Sequence, residues 1–521
     1  MRRPGKVTLV GAGPGRPDLL TLRGAACLAA ADVVVVDALV DRRVLEHGRP
    51  GVRVIDAGKR GHGRAILRQP AINRLLVRLA KSGKTVCRLK GGDPYFFGRG
   101  GEEAECLARS GVPFEVVPGV SSVTAVPAYA GVPVTHRDFT SVLTVVTGHL
   151  SPENTYLLES PGERRRRRAP GVDWERIPKD GTLVVLMGVL HLADIARRLR
   201  AAGWDPRTPA LVTRWGTWTF QRSVEGTLGD IAARVAAAGL RAPAVVTIGR
   251  VVSLRKRLNW FERLPLFGRT VVVTRARDQA SDLARELEEL GARVLAAPVI
   301  EIVPLPASPH GSLSLRRLGE AEYDGVLFTS ANAVEVFARH WKRWGAAWPS
   351  RTAVYAVGPK TAEALRRAGL PVHHTAEEFR AESLVRALGR VAGKRFLFPR
   401  AREGRDVLPV ALRDGGATVH LWPLYRTAPV RLDAAVRRAL LAGEADAVTF
   451  ASSSAADSFL SRFTSAQRKR LFSRAAAVSI GPVTSDALRR WGVRPTATAA
   501  RSTVEDLAAA VARALPRRKR R

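Results

Sequence analysis

Cysteine is scarce in this chain: three occur in 521 residues, Cys27, Cys87 and Cys106, and no two form a CxxC pair. That excludes a disulfide framework and a zinc ribbon, and it fits a reducing compartment. Each cysteine reads as a small buried apolar residue. The ten histidines form no HExxH, so no metal site is expected. Long apolar runs are missing as well. Val33–Val36 ends at Asp37, and Leu183–Leu190 is too short to cross a bilayer. The opening MRRPGKVTLVGAG has no long apolar core ahead of a small-residue cleavage site. Neither secretion nor membrane insertion is expected, and the cytoplasm is the expected location.

Acidic residues are the next shortage. There are 47 against 84 basic ones, a net charge of +37, and only twelve of the 84 are lysine. Such a field draws in polyanions, either nucleic acid or a small molecule with many carboxylates. The runs ERRRRRA (163–169) and PRRKRR (516–521) have the form of nucleic-acid arms. No aromatic residue interleaves them, which removes base stacking. A solvated loop and a frayed tail account for them more simply.

What remains is an ordinary globular composition, 46% apolar, with length for about two to four domains. Up to about Val252, β-branched runs alternate with helical patterns. The strand candidates are Val7–Val10, Val33–Val36, Val52–Ile55, Thr85–Leu89, Phe114–Val117, Leu143–Val146, Leu183–Met187, Ala210–Thr213 and Ala244–Ile248. Ile72–Ser82 and Gly101–Ser110 carry apolar residues at helical spacing. The class is α/β. Residues 253–268, polar, basic and holding a proline, read as a linker, and the α/β pattern then restarts. The second half contains a repeat. VLFTSANAVEVF (326–337) resembles VTFASSSAADSF (448–459), and VYAVGPKTAEALRRAGLPV (354–372) resembles VSIGPVTSDALRRWGVRP (478–495). Phe328 to Phe450 is 122 residues and Gly358 to Gly481 is 123, which predicts a duplicated α/β lobe with a cleft.

VTLVGAGPGRPDLLTLRG (7–24) runs a strand into glycines, yet it does not read as a dinucleotide site. The fingerprint is GxGxxG, and here Arg16 holds the sixth position. Pro14 has no N–H for a pyrophosphate. No acid closes a following strand in the ribose-binding manner unless Asp37 is forced into that role. The glycines still permit close approach of another ligand to the backbone. RLKGGDPYFFGRGGEE (88–103) follows a strand and holds five glycines from Gly91 to Gly101, more than an Asp–Pro turn requires. VVPGVSSVTAVPAYAGVPVTHRD (116–138) sets small residues and hydroxyls at a helix mouth.

These segments carry a resemblance. GAGPGRPDLLT, VVVVDALV, GKRGH, RLKGGDPYFFGRGGEE, VVPGVSS, AYAGVPVTHR, VVLMGV and RWGTWTFQR occur in order over about residues 5–252. Together they resemble uroporphyrinogen-III C-methyltransferase of the tetrapyrrole methylase family. GGDP followed by FGRGG separates that member from the cobalt-precorrin methylases. Residues 268–514 resemble uroporphyrinogen-III synthase through VVVTRA, FTSANAV, AVGPKTAEAL, PLYRT and SIGPVTSDAL. The implied architecture is a two-lobed methylase fold over 1–252 (lobes about 1–138 and 139–252). After the linker comes a bilobal α/β synthase fold with duplicated lobes over 269–515, then a basic tail over 516–521. Lobe one of the synthase would take 269–302 and 428–515, and lobe two 303–427. Relative to the family, the segment between His149 and Gly181, with its arginine run, is long.

The resemblance implies two activities. Hydroxymethylbilane would be cyclised to uroporphyrinogen III with inversion of ring D, without a cofactor. Two methyl groups from S-adenosylmethionine would then go to C2 and C7, giving precorrin-2 for sirohaem or cobalamin. The family's base falls on Asp37 and its acid on Lys59. A helix cap is the alternative for Asp37, and substrate-carboxylate binding, with Arg60 and Arg64, is the alternative for Lys59. S-adenosylmethionine contacts fall on Pro14, Gly91, Gly92, Asp93, Phe96, Ser121, Ser122, Met187, Gly216 and Ala244. Met187 reads equally as core. In the synthase half, Tyr425 would assist loss of the hydroxyl. Ser330, Ser452, Ser453 and Thr484 would receive carboxylates at helix mouths or simply cap the helices. Arg275 and Lys360 would pair with acetate or propionate arms. The expected partners are small polycarboxylate tetrapyrroles, without a specific nucleic acid or a membrane, and the family implies a homodimer through the methylase half. An NAD-dependent dehydrogenase–ferrochelatase part would need a further Rossmann domain, and neither half has residues to spare.

Overall fold

The computed structural model describes residues 5–58, 67–148, 155–157, 166–168, 172–274, 277–306, 308–376, 388–404 and 406–516. Of 155–157, 166–168, 277–281 and 360 it describes the backbone alone. It divides into two compact units, residues 1–269 with 288–293, and residues 270–287 with 294–521.

The first unit opens with five strands: β1 (Val7–Gly11), β2 (Val33–Val36), β3 (Arg53–Asp56), β4 (Val86–Lys90) and β5 (Phe114–Val117). They form one parallel sheet in the order β3-β2-β4-β1-β5. β1, β2 and β4 are buried along their whole length, which is why their sequences are valine-rich runs rather than alternating ones. Helices cover the faces. Gln69–Lys81 buries Ile72, Leu75, Leu76 and Leu79, a stripe at helical spacing. Because the strands are parallel, the loops 11–15, 37–41, 91–98 and 118–122 all leave from the same carboxyl edge. That edge is where open α/β sheets bind ligands.

Seven further strands follow: β6 (Leu143–Thr147), β7 (Thr155–Leu157), β8 (Arg166–Arg168), β9 (Thr182–Leu186), β10 (Pro209–Arg214), β11 (Arg222–Thr227) and β12 (Ala244–Ile248). β7 and β8 pair as a short antiparallel ribbon, so part of the arginine run is strand. The others form a mixed sheet ordered β11-β10-β12-β9-β6. All nine expected strands are present within a residue or two, and β7, β8 and β11 are additions.

The segment 253–268 differs from the polar connector expected. Leu254, Phe261 and Leu266 are buried, and the residues belong to the first unit. Arg255 is buried too. It pairs with Glu225, donates from Nη2 to Glu262 Oε2 at 2.6 Å, and donates to the Ala130 carbonyl. Of the basic residues here Arg255 serves an internal ion-pair hub, while Lys256, Arg257 and Arg263 are exposed.

The second unit holds two sheets. One is ordered β14 (Arg293–Ala296), β13 (Thr270–Val273), β21 (Ala447–Phe450), β22 (Ala476–Ser479), β23 (Ala497–Thr498). The other is ordered β15 (Ile300–Pro304), β20 (Thr418–Pro429), β19 (Arg395–Ala401), β16 (Gly325–Phe328), β17 (Ala353–Ala356), β18 (His374–Thr375). The repeated sequences fold alike. β16 leads through Ser330 into the helix Ala331–Trp344, and β21 leads through Ser452 into Ser453–Leu460. β17 and β22, each parallel to its partner, lead through Gly358 and Gly481 into Pro359–Arg367 and Pro482–Arg490. Phe328 and Phe337 anchor one core, Phe450 and Phe459 the other, at matching places.

Candidate functional site

At the carboxyl edge of the first sheet, three glycine loops are in backbone contact. Ala12 N donates to Lys90 O at 2.7 Å, and Gly92 N donates to Gly13 O at 2.7 Å. A Cβ on Gly11 would stand 2.5 Å from Gly119 Cα, and one on Gly119 would stand 2.3 Å from Gly92 O. Gly92 has φ +68, in the left-handed region that favours glycine. Above Gly91, a Cβ would meet only Leu39, at 3.5 Å, so this backbone faces open space. No α-helix starts in the first loop, which runs into a single 3-10 turn at Pro17–Leu19. Helix Leu22–Ala30 begins at the Thr21 cap, well past Gly15, which removes dinucleotide-fingerprint geometry.

Asp93 ties the loops together. Its Oδ1 accepts from Tyr95 N at 2.8 Å and its Oδ2 from Gly119 N at 3.0 Å. Its first duty is therefore the turn. Ser121 caps the helix Ser122–Tyr129 by accepting from Val123 N at 3.3 Å. The second lobe closes on the same place. Arg16 N donates to Thr217 Oγ1 at 3.2 Å, and Gly216 lies so close to Val126 that a Cβ would stand 2.4 Å from it. Pro14, Gly91, Gly92, Asp93, Ser121, Ser122 and Gly216 are thus joined by a continuous chain of contacts. Met187 follows β9 at φ +56 and is 43% exposed, so the core alternative for it falls. Val245 pairs with Leu186, so Ala244 and Met187 are the chain neighbours of the last pair between β12 and β9. Phe96 is exposed and packs edge-on against Phe97 at 5.4 Å.

Asp37 leaves β2 at the same edge. It caps no helix. The residue that caps is Asp41, whose Oδ1 accepts from Arg43 N at 2.9 Å. Asp37 Oδ1 instead accepts from Arg88 Nη2 at 2.6 Å, and its Oδ2 lies 3.9 Å from Lys90 Nζ. Below it sits a buried charge cluster that the sequence reading missed. Arg88, Lys90 and Glu103 are 1%, 2% and 0% exposed. Glu103 Oε1 accepts from Arg88 Nε, Lys90 Nζ and Gln69 Nε2, each at 3.1 Å. Burial, with Arg88 beside it, holds the Lys90 ammonium below its ordinary value. Burial opposes the charge on Arg88 as well, yet Asp37 and Glu103 hold that guanidinium above its ordinary value. The signal was available: two cations two residues apart, on one face of a central strand, require buried partners. Lys59, Arg60 and Arg64 lie outside the described residues.

In the second unit the structure brings Tyr425 and Ser330 together. Their hydroxyl oxygens are 3.0 Å apart, and Ser330 Oγ also caps its helix by accepting from Ala333 N at 3.1 Å. Tyr425 is 6% exposed, and burial pushes its phenol up, so it stays a hydrogen-bond donor at neutral pH. Ser452 is the matching cap, accepting from Ala455 N at 3.1 Å. Capping does not account for Ser453 or Thr484, whose helices are capped by Ser452 and Gly481. Thr484 lies in the first turn of its helix and is buried. Arg275 and the Lys360 side chain lie outside the described residues, although Lys360 belongs to the first turn of Pro359–Arg367. A buried residue that sequence did not flag is Arg400, whose Nη1 donates to Asp406 Oδ1 at 2.6 Å. It lies two residues from Arg402, whose N donates to Tyr425 O at 2.8 Å.

Among the described residues no group of three or more His, Cys, Asp or Glu is placed to hold a metal ion. No helix of the described residues is long and apolar enough to cross a membrane.

Two family models match the chain: tetrapyrrole (corrin/porphyrin) methylases over residues 6–232, and uroporphyrinogen-III synthase HemD over residues 281–509. A porphyrin biosynthesis protein HemD from Ruminiclostridium josui is 34% identical over 511 residues, covering 96% of this chain and 97% of that protein. A uroporphyrinogen-III C-methyltransferase from Bacillus subtilis is 40% identical over 336 residues, covering 64% of this chain and 65% of its own length. A siroheme synthase from Methylobacillus flagellatus is 44% identical over 262 residues, 50% of this chain, and the chain spans only 53% of that relative.

Proposed function

The chain belongs to the tetrapyrrole methylases over its first half and to the uroporphyrinogen-III synthases over its second, and from that membership we propose one enzyme with two successive activities. The second unit cyclises hydroxymethylbilane to uroporphyrinogen III, inverting ring D and releasing water, without a cofactor. The first unit transfers two methyl groups to C2 and C7 of that product, giving precorrin-2. The methylase half would pair as a homodimer, in the cytoplasm.

The observation that carries the methylase reading is the joining of Asp37 and the glycine loops on one sheet edge. The loops fit S-adenosylmethionine: Gly91 leaves space above its backbone, and Gly92 takes a conformation few other residues adopt. Bound there, the donor supplies an electrophilic methyl on a sulfonium whose leaving group departs neutral. Pro14, Gly91, Gly92, Asp93, Phe96, Ser121, Ser122, Met187, Gly216 and Ala244 are the residues that would hold it. Alignment of donor and acceptor carbon then supplies most of the rate. As the new C–C bond forms, the sulfonium's positive charge passes to the macrocycle. Asp37, held by Arg88, stabilises that charge and takes the pyrrole proton that must be lost. Lys59, with Arg60 and Arg64, would serve as acid or bind carboxylates. In the synthase, Tyr425 donates to the departing hydroxyl while Ser330 fixes its direction. Ser452, Ser453 and Thr484, with Arg275 and Lys360, would orient the acetate and propionate arms.

The test is a product assay on the whole chain. Hydroxymethylbilane alone should give the type III isomer, and addition of S-adenosylmethionine should give a dimethylated product. Only the type I isomer would overturn the synthase reading. A type III product that never gains methyls would overturn the methylase reading.

A further inference from the structure

The methyl-transfer reading uses Asp37 and the Arg88 that holds it but leaves the buried Lys90 and Glu103 without a task. Four ionisable groups form the cluster. Two cations on β4, Arg88 and Lys90, face two carboxylates, Asp37 at the sheet edge and Glu103 from the helix Gly100–Arg109. Gln69, from the helix Gln69–Lys81, adds one neutral donor. These are the charged groups that face Asp37 across the sheet and from the helices behind it, among the described residues. The cluster is asymmetric. Glu103 Oε1 accepts three hydrogen bonds, while Oε2, equally buried, has no partner among the described residues. A polar cluster kept only for stability would not leave a carboxylate oxygen orphaned where an apolar residue could pack.

The division of the cations is the functional point. Arg88 and Lys90 are shared between a carboxylate that never meets solvent and one that does: the Asp37 side chain is 29% exposed, that of Glu103 0%. Whatever attraction Glu103 exerts on them is withheld from Asp37. We propose that Glu103 is a positioning residue for methyl transfer, setting, through Arg88 and Lys90, how tightly Asp37 is held and so how readily Asp37 takes a proton. The proposal rests on the reading of Asp37 as the base. It assigns the helix that follows the glycine-rich loop a second role, since the same FGRGGEE stretch that leaves the cofactor loop carries Glu103 under the base.

Two substitutions should act in opposite directions, which a merely structural role would not produce. In Glu103→Gln both cations face Asp37 alone. The acid limb of the pH–kcat profile for methyl transfer should move down by about one pH unit, and kcat should fall about tenfold at neutral pH. In Lys90→Met one cation facing Asp37 is gone, while Glu103 keeps Arg88 and Gln69. The acid limb should move up by about one unit. In both, KM for S-adenosylmethionine should stay within about twofold, because neither side chain belongs to the loops that would hold it. Asp37→Asn is the control and should abolish the limb.

Opposite displacements support the proposal. Both variants folding, by circular dichroism and melting, with reduced kcat and an unmoved limb would overturn it and leave Asp37 as the base. An Asp37→Asn enzyme that keeps the limb would overturn the reading of Asp37 and the proposal with it. Should Glu103→Gln fail to fold, Lys90→Met decides: an upward displacement supports the proposal, an unmoved limb overturns it.

Discussion

Tyr425 shows what one side chain contributes when its neighbours are fixed. The phenol is buried and touches Ser330, whose own direction is set by the helix it caps. Tyr425→Phe should lower the synthase kcat about tenfold, the worth of one positioned hydrogen bond, with methyl transfer to supplied uroporphyrinogen III unchanged. An unaffected synthase rate would remove Tyr425 from the reaction. At this scale the sequence showed residue types more readily than partners. PLYRT and FTSANAV are far apart along the chain, and nothing in either announces that Tyr425 meets Ser330. Asp37 was legible as a candidate, but its alternative as a cap failed because Asp41, four residues on, does that work. Arg88 fell inside the strand expected over Thr85–Leu89 and Lys90 just past it, and neither stood out as a site residue. The strand's burial on both faces turns the same letters into an internal ion cluster.

Among elements, the glycine loops and the segment 253–268 make opposite demands on sequence. Gly11 needs glycine for space: backbone of Gly119 and Gly92 lies within 2.6 Å of any Cβ, and backbone cannot turn aside. Gly101 has no atom within 4 Å of that position and lies in a helix. Gly11→Ala should cost about 1–3 kcal/mol in denaturant melts and weaken S-adenosylmethionine binding measured by calorimetry. Gly101→Ala should raise stability by up to about 1 kcal/mol. Equal effects would mean that the loops are not packed as described. Arg255→Met strands Glu225 and Glu262 around a lost cation and should destabilise the chain by about 3–5 kcal/mol, against less than about 0.5 for an exposed arginine such as Arg176. A melt that does not separate the two would contradict the buried hub. Hydrophobic runs made nine strands of the first unit visible. β11 escaped because it pairs on one side only, with β10, and its sequence RSVEGT has no apolar run. The segment 253–268 escaped because a buried arginine has the same letter as an exposed one.

For the whole molecule, the net charge of +37 and the proposed substrates belong together. Both tetrapyrroles carry many carboxylates, so KM for each should rise several-fold between about 50 and about 500 mM salt, while KM for the methyl donor moves less than about twofold. A parallel rise for all three would point to general salt inactivation instead. The duplication was legible at this scale from two matched segments at one offset, because each copy must rebuild the same strand, cap and helix corner. Which sheet each strand joins was not legible, since pairing is decided by strands far away in sequence.

That distance has a consequence in time. β13 pairs with β21, Val271 opposite Ala447, and Thr270 N donates to the Asp446 carboxylate across 176 residues. At about 5–20 residues per second, a ribosome delivers β21 roughly 9 to 35 seconds after β13. The sheet of β15 to β20 needs nothing beyond Pro429 and can assemble during that interval. β13, an apolar strand that finds β14 on one edge within about twenty residues, must wait for β21 with its other edge open. A nascent chain stalled before Ala447 therefore carries one finished lobe and one sticky strand, the kind of species that chaperones exist to hold.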